Sequence, residues 1–274
     1  MRKIFLIFTA ITVTFILISC KKDEAPISGC TEIAASNYNP DAIVDNGSCE
    51  FESILTTLTV NFTHTVDGNE FILDFSDGTE TLQHTNNAGQ KYNVKRLWYI
   101  ISDIALHTGN GSTLIKDIHF IDLSDANTLS FMISDLEKNN YTGISYTMGL
   151  SENKNISNAY INDFFHSKMF WPETMGGGYH YMKMEGNFEN DSSFYNIHTG
   201  GTMGGDYSII NNNEISLITS DTITDVTISI NMEINNWYQN PNLITLSNNG
   251  IMGNTPIQIQ MQQNGNDVFS TLIN

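Results

Sequence analysis

The chain has 274 residues, with 12 Lys and Arg against 30 Asp and Glu, a formal net charge of −18 and a sequence pI of about 4.5. This acidic balance excludes a nucleic-acid-binding role, because a phosphate backbone is bound mainly through Lys and Arg. It also disfavours docking onto anionic lipid headgroups. The three cysteines are an odd number, so not all of them can pair within the chain.

Residues 1–19 have the features of a secretory signal peptide. Arg2 and Lys3 supply the positive end, and the apolar run that follows is too short for a stable membrane-spanning helix. The run ends in the sequence LISC, which resembles the bacterial lipobox. In that class of protein the signal is cut before the cysteine, and the cysteine is acylated. We therefore expect Cys20 to anchor the chain to a membrane, the alternative being an ordinary signal peptide with a chance cysteine.

The residues after Cys20 form an acylated tether over 20–28. The run Lys21-Lys22-Asp23-Glu24 resembles the signal that marks surface-exported lipoproteins of Bacteroidetes, and it is equally a solvated tether. Together with the signal peptide it predicts an outer-membrane lipoprotein exposed at the cell surface. Removal of residues 1–19 would leave 10 Lys and Arg against 30 Asp and Glu, a net charge of −20.

Residues 29–51 form a separate small module, rich in turn-forming Pro, Asn-Gly and Asp and poor in apolar residues. Its sequence resembles a short Cys element of secreted Bacteroidetes proteins, similar to thrombospondin type 3 repeats. We expect a Cys30–Cys49 disulfide, which is worth roughly 3 kcal/mol for a loop of about 20 residues. Asp41 and Asp45 could hold calcium, although a disulfide-stapled spacer is the favoured interpretation.

Residues 54–274 are predicted to form an all-β domain, a two-sheet antiparallel sandwich with Greek-key, immunoglobulin-like connections. Apolar residues alternate with Thr and Asn from Leu58 to Val66, which indicates a half-buried strand. One short helix is expected over Ser157–Phe165. Further strands are predicted over Glu70–Phe75, Tyr92–Leu106, Thr113–Asp122, Tyr141–Leu150, Tyr179–Phe188, Ile215–Thr219, Thr222–Ile234 and Leu243–Leu246.

The segment Lys168–Gly201 carries the most chemical information. Three glycines follow Met175, which allows a sharp turn or a close backbone approach. Strand alternation after them predicts His180, Met182 and Met184 on one face, and imidazole with thioether is a plausible copper surface. Methionines at alternate strand positions more often fill a core, which is the favoured interpretation for these two.

Two further histidines are candidate ligands. His64 lies on the otherwise apolar face of the first long strand, where a histidine is more often a core residue than a ligand. His198 precedes Gly200 and Gly201, where the backbone leaves room for a metal. The remaining histidines lack such a context and are expected to be structural or exposed.

Several segments resemble the MbnP-like family of copper-binding lipoproteins and periplasmic proteins. The most specific piece runs from Met169-Phe170-Trp171 to Glu185-Gly186, and the pieces span about 55–270. The others are Val60-Asn61-Phe62-Thr63-His64 with Gly68, Asn86 to Val94, Leu97 to Ile104, Tyr141 to Ile144 with Gly149-Leu150, His198-Thr199-Gly200, and Ile251-Met252 with Asn264 and Phe269.

The resemblance implies a mononuclear copper site built on histidines, with His64, His180 and His198 as the matching candidates. It also implies that a di-haem partner of the peroxidase type can oxidise a tryptophan to kynurenine, here Trp171. Some members carry Trp-x-Trp at this position, whereas this chain has Trp171-Pro172-Glu173. That departure weighs more against oxidation of Trp171 than against copper binding.

The function expected from these residues and this resemblance is non-enzymatic: a surface lipoprotein that binds copper for uptake, storage or delivery. A cell-surface module that binds glycan or protein without metal, using Trp98, Trp237 and the many tyrosines, is the alternative. No Ser-His-Asp elbow, P-loop, dinucleotide fingerprint or zinc-protease helix is present in the sequence, so we expect no enzyme activity.

Overall fold

The computed structural model describes residues 25–51, 56–74, 82–220, 223 and 225–274, without the side chains of 190–192. Backbone contacts divide the chain into two compact units, Met1–Ser53 and Ile54–Asn274. The predicted signal peptide, Cys20 and the Lys-Lys-Asp-Glu run lie outside the described residues. Within the described ranges no helix has both the length and the apolar character needed to cross a membrane.

The first unit contains two short parallel strands, β1 (Ser28–Gly29) and β2 (Val44–Asp45). The Cys30–Cys49 disulfide is present with an S–S distance of 2.11 Å, which confirms the predicted pairing. The carboxylate of Asp45 accepts a hydrogen bond from the Gly47 amide at 3.0 Å and so stabilises its own turn. Calcium binding by this unit stays a prediction.

The second unit is all-β, as predicted, with two short α-helices and five 3₁₀ turns among the described residues. The strands are β3 (Thr56–Val66), β4 (Asn69–Glu70), β5 (His84–Thr85), β6 (Lys91–Tyr92), β7 (Arg96–Thr108), β8 (Gly111–Asp122), β9 (Ser130–Leu136), β10 (Asn140–Met148), β11 (His180–Phe188), β12 (Asn190–Gly200), β13 (Ile209–Ile218), β14 (Asp225–Glu233) and β15 (Phe269–Ile273). The helices are α1 (His166–Met169) and α2 (Thr255–Asn264).

The strands form two sheets. The eight-stranded sheet is antiparallel and runs β13-β10-β7-β11-β6-β5, with β8 also paired to β7 and β12 to β11. The five-stranded sheet runs β15-β14-β3-β4, with β9 also paired to β3. Its central pair, β14 with β3, is parallel, which is the one departure from the predicted antiparallel arrangement in this unit's described strands.

The inner core lies between the two sheets. Leu58, Val60 and Phe62 of β3 point into it and are fully or almost fully buried, as their period-two alternation predicted. From the facing sheet, Tyr99 and Met184 belong to the same apolar cluster. Its large buried apolar area is the main favourable contribution to folding of this unit.

An outer cluster covers the other face of the eight-stranded sheet. The long connection between β10 and β11 folds over this face, and its side chains pack on residues of β7 and β8. The members of this outer cluster are Ile100, Phe120, Leu150, Phe165, Met169, Tyr179 and Tyr181. The sheet is therefore apolar on both faces, and the connection is held against it.

Three local predictions were wrong. Of the strand predicted over Glu70–Phe75, only Glu70 is in a strand, the end of β4, and residues 71–74 are not. Ser157–Phe165 forms turns instead of a helix, and α1 begins at the next residue; Asn158 has a φ of 61°, which a right-handed helix does not allow. Leu243–Leu246 is not a strand. The helix α2 was missed because its sequence is rich in Gln and shows no apolar periodicity, although Asn254 caps it with a hydrogen bond to the Ile257 amide.

Candidate metal centre

The first residue of β11, His180, lies at a shift in strand register. His180 pairs with Gly200, but Met182 pairs with Thr199, so simple alternation does not hold between them. Met182 and Met184 are fully buried in the inner core, which confirms their interpretation as core residues. The prediction that His180 shares their face was wrong, because its ring contacts Trp171 and His198 instead.

The imidazole of His180 is buried and has one nitrogen without a partner. Its Nδ1 lies 3.0 Å from the carbonyl oxygen of Met169, and because a carbonyl only accepts, Nδ1 carries the proton. The other nitrogen, Nε2, is buried and makes no hydrogen bond within the described chain. The lone pair on Nε2 therefore accepts no hydrogen bond from the described chain.

Burial also keeps this imidazole neutral. Desolvation, helped by the positive charge of Lys183, lowers the pKa of His180 to about 2. The neutral ring with a free nitrogen is the form of histidine that binds metals. A hydrogen bond from the opposite ring nitrogen to a backbone carbonyl is the usual way in which proteins orient such a ligand.

His198 on β12 is oriented in the same manner by a carboxylate. Its Nε2 lies 2.7 Å from Oε1 of Glu185, and Oε2 of Glu185 lies 2.5 Å from Nη1 of Arg96. Burial raises the pKa of Glu185, but the hydrogen bond from His198 and the charge of Arg96 outweigh it, so that the pKa is lowered overall. The ionised carboxylate accepts the Nε2 proton of His198, so Nδ1 is the nitrogen through which this ring could bind a metal.

The two imidazoles are neighbours. Their ring centroids lie 5.1 Å apart with an interplanar angle of 82°. Two imidazoles that share one metal, at about 2.0 Å from each nitrogen and with a tetrahedral angle, have centroids about 5 Å apart. The spacing of His180 and His198 is therefore compatible with a shared metal ion.

Trp171 closes one side of this pair. Its ring centroid lies 4.6 Å from that of His180, its side chain is fully buried, and its Nε1 donates to the carbonyl oxygen of Met175 at 3.0 Å. A β-carbon at Gly200 would lie 2.6 Å from Cε3 of Trp171, so only glycine allows the indole to pack there. The room that Gly200 leaves next to His198 is thus filled by an indole.

The helix α2 braces the strand that carries His198. The Gln258 side chain is buried, and its Nε2 donates to the His198 carbonyl at 2.8 Å. Its Oε1 accepts from the Gly200 amide at 3.4 Å. The backbone on both sides of Thr199 is therefore tied to the C-terminal helix.

His64 does not join the other candidates. It is buried on β3, and its Nε2 lies 2.9 Å from the hydroxyl of Tyr99, which belongs to the inner core. Burial lowers the pKa of His64 to about 4. Because His180 and His198 contact residues on the outer side of the eight-stranded sheet, that sheet lies between them and His64.

The structure also places the aromatic residues of the alternative function. Trp237 was considered as a sugar platform, but it is 1% exposed in the inner core, so it is not available at the surface. Trp98 is partly buried, and the cationic groups of Arg96, Lys168 and Lys183 lie 4.5 to 5.8 Å from its ring. Its ring is therefore already engaged in cation–π contacts.

Residues 55–259 match the model of the MbnP family. The chain belongs to the MbnP family. A direct search of curated protein sequences finds no match. Among solved structures, MbnP from Methylosinus trichosporium matches with a TM-score of 0.52 and 12% identity, over 80% of this chain and 98% of that one.

The structural match to MbnP from Methylosinus trichosporium supports the β-sandwich fold. At 12% identity the match shows the fold alone. Membership of the MbnP family indicates a metal-related role, and the family is not known for enzyme activity. In the described part of the chain no three His, Cys, Asp or Glu side chains come together as a ready metal site. A metal bound at His180 and His198 would therefore have these two imidazoles as its only His, Cys, Asp or Glu ligands from the described residues.

Sequence reasoning missed the groups that orient the two histidines. Strand alternation places Glu185 on the face opposite to Met184, but it does not predict the hydrogen bond that Glu185 accepts from His198. The hydrogen bond between His180 and the Met169 carbonyl could not have been predicted, because the position of that carbonyl depends on how the connection before β11 folds. The only signal in the sequence was Glu185 at an outward position of the same strand as His180.

Proposed function

We propose that this protein binds one copper ion between His180 and His198, on the outer side of the eight-stranded sheet, without enzyme activity. The single observation that carries the proposal is the buried Nε2 of His180, which has a lone pair and no partner within the described chain. A buried polar atom without a partner costs free energy, and a metal ion would satisfy it. Family membership favours copper over other metals that imidazole accepts.

The residues of the chain divide the work at this site. His180 and His198 would hold the copper, while the Met169 carbonyl and Glu185 fix their tautomers. The buried Trp171 covers one side of the His180 ring and would exclude water there. All three cysteines already have a predicted or observed role, so no thiolate is expected among the ligands.

A copper titration tests this proposal. We expect one copper per chain, measured for Cu(II) by electron paramagnetic resonance and for Cu(I) by competition with a chromophoric chelator. His180→Ala and His198→Ala should each lose this binding, whereas the matched control His107→Ala should retain it, since His107 bonds Ser145 elsewhere on the sheet.

His64→Ala separates the proposed site from the wider set of sequence candidates. We expect it to bind copper as the wild type does, because the sheet lies between His64 and the pair. Loss of binding in His64→Ala, with retention in the other two variants, would overturn the assignment of the ligands. Absence of stoichiometric copper in the wild type would overturn the function.

We further propose that Trp171 is the site of oxidation to kynurenine by a peroxidase-type di-haem partner. Two molecules of hydrogen peroxide, used by that partner, supply two oxygen atoms, which add to C2 and C3 of the indole as the C2–C3 bond breaks, and two waters are left. Hydrolysis of the resulting formamide then releases formate. The net change is one oxygen gained and one carbon lost. Intact-mass and peptide mapping of protein from its native host would detect this change at Trp171, and Trp171→Phe should abolish it.

The proposed location is the outer membrane, with the acylated Cys20 as the anchor and exposure at the cell surface. Expression of the full chain and of Cys20→Ala, followed by membrane fractionation and labelled fatty-acid incorporation, tests the anchor. The variant should leave the membrane fraction and lose the label. Deletion of the gene distinguishes three roles for the bound copper. Loss of uptake should lower cellular copper, and loss of storage should lower tolerance to excess copper. Loss of delivery should lower the activity of a copper enzyme.

A further inference from the structure

A cavity lies at the edge of the eight-stranded sheet, and neither His180 nor His198 lines it. Its volume is about 670 Å³, within the range of about 300–1,000 Å³ typical of small-molecule sites. Three segments line it: β8 over 116–120, residues 127–131 before and at the start of β9, and residues 160–165 of the long connection. We call it the aromatic cavity.

Phenyl and phenol rings form the walls of the aromatic cavity. Phe120, Phe131, Tyr160 and Phe164 all line it. Phe164 is 66% exposed, although its ring lies only 5.4 Å from that of Phe120. An exposed phenyl at the rim of a cavity is a contact surface for an apolar group, because its removal from water is favourable.

Two opposite charges line the same cavity without neutralising each other. The ammonium group of Lys116 lies 5.6 Å from the ring centroid of Phe131 and makes no ion pair with any described residue. The carboxylate of Asp163 makes neither an ion pair nor a side-chain hydrogen bond within the described ranges. A third charged group, Asp117, differs because it already pairs with Lys154.

We propose that the aromatic cavity binds a small zwitterion with an apolar side chain, of the chemical class of a free amino acid. Asp163 pairs with the ammonium group of the ligand, Lys116 with its carboxylate, and the phenyl rings pack on its side chain. A neutral sugar would use the rings but neither charge. This inference is independent of copper binding, because the cavity shares no residue with the histidine pair.

Calorimetric titration of the wild-type protein with L-phenylalanine tests the proposal. Two analogues are the controls: L-phenylalaninamide lacks the carboxylate, and N-acetyl-L-phenylalanine lacks the ammonium group. We expect L-phenylalanine to bind, and each analogue to bind about tenfold more weakly or worse, since each loses one charge-assisted contact.

Three variants assign the contacts. Asp163→Asn should remove the preference for L-phenylalanine over its N-acetyl analogue, and Lys116→Gln should remove the preference over the amide. Phe164→Ala should weaken all three ligands. Phe194→Ala, which changes an exposed phenyl of β12 outside the cavity, should change none of them.

Four results would contradict binding of an amino acid in the aromatic cavity. L-phenylalanine that does not bind at its solubility limit, or analogues that bind as well as it does, would overturn the proposal. So would a preference for the free zwitterion that survives both charge variants, or a neutral oligosaccharide that binds more tightly with the same dependence on Phe164. Circular dichroism of each variant verifies the fold, which these exposed or partly exposed positions should not disturb.

Discussion

Glu185 accepts a hydrogen bond from His198 at 2.7 Å across the neighbouring strands β11 and β12. The same carboxylate is held by Arg96 of β7, so three strands fix one imidazole. The orientation of His198 therefore depends on a group that would not touch the metal. A ligand held in this way does not need to be ordered when the metal arrives, which lowers the entropic cost of binding.

Replacement of Glu185 by glutamine should weaken copper binding about tenfold to a hundredfold, the range for loss of a group that orients a metal-binding histidine. The amide keeps the shape of the side chain but can present its NH₂ group to His198, which removes the preference for one tautomer. Competition with a copper chelator measures the change. Glu214→Gln, at an exposed position of β13, is the matched control and should leave the affinity unchanged.

Replacement of Gly200 by alanine should displace Trp171, because the new β-carbon would lie 2.6 Å from Cε3 of the indole and 3.0 Å from the Tyr179 carbonyl oxygen. We expect a loss of about 1–3 kcal/mol in the free energy of unfolding, typical of overpacking. A red shift in tryptophan fluorescence should accompany it. Gly253→Ala is the control, since its β-carbon would meet only Cε of Met175, at 4.0 Å. A stable variant with unchanged fluorescence would contradict this packing.

The buried His64 should make the protein less stable in acid. Its pKa is about 4 in the folded chain against 6.5 in the unfolded chain, so the unfolded state takes up a proton first as the pH falls. The contribution of this pKa difference to the free energy of unfolding is fully present above pH 6.5 and declines between pH 6.5 and 4. It amounts to about 3 kcal/mol at most. Urea unfolding at several pH values measures it.

His64→Gln should make this part of the pH profile less steep, although a slope should remain because burial also lowers the pKa of His180. Tyr99→Phe should keep the full slope, because burial and not the tyrosine hydroxyl lowers the pKa of His64. At neutral pH, Tyr99→Phe should still cost about 1–3 kcal/mol, since it leaves a buried imidazole nitrogen without a partner. A wild-type profile that is the same as that of His64→Gln would mean that His64 is not buried in solution.

Reduction of the Cys30–Cys49 bond should affect only the first unit. The disulfide links residues separated by 19 positions, and in the chain-entropy model its loss removes about 3 kcal/mol from a unit with little apolar core. We expect hydrogen exchange of residues 25–51 to rise after reduction, while the strands of the second unit stay protected. Protection lost equally in both units would show that they do not fold independently.

The β-sandwich could be predicted from local patterns, because Leu58 to Val66 alternates in the sequence as it does in burial. Trp171 and the histidine candidates could also be selected, mainly through family resemblance. The pairing of His180 with His198 could not, since it requires the register shift before Met182 and the docking of Met169. Gln258 was equally hidden, because a polar residue in a helix without apolar periodicity gives no sign that it will be buried.

The parallel pairing of β3 with β14 has a consequence for the time course of folding. Residues 57–65 pair with residues 225–233, so the centre of the five-stranded sheet joins segments that are separated by most of the domain. Such non-local pairing slows folding, because a long loop must close before any contact forms. A chain still under synthesis lacks its second central strand until residue 233 has emerged. The order of translation thus delays completion of the sandwich until most of the domain has been synthesised.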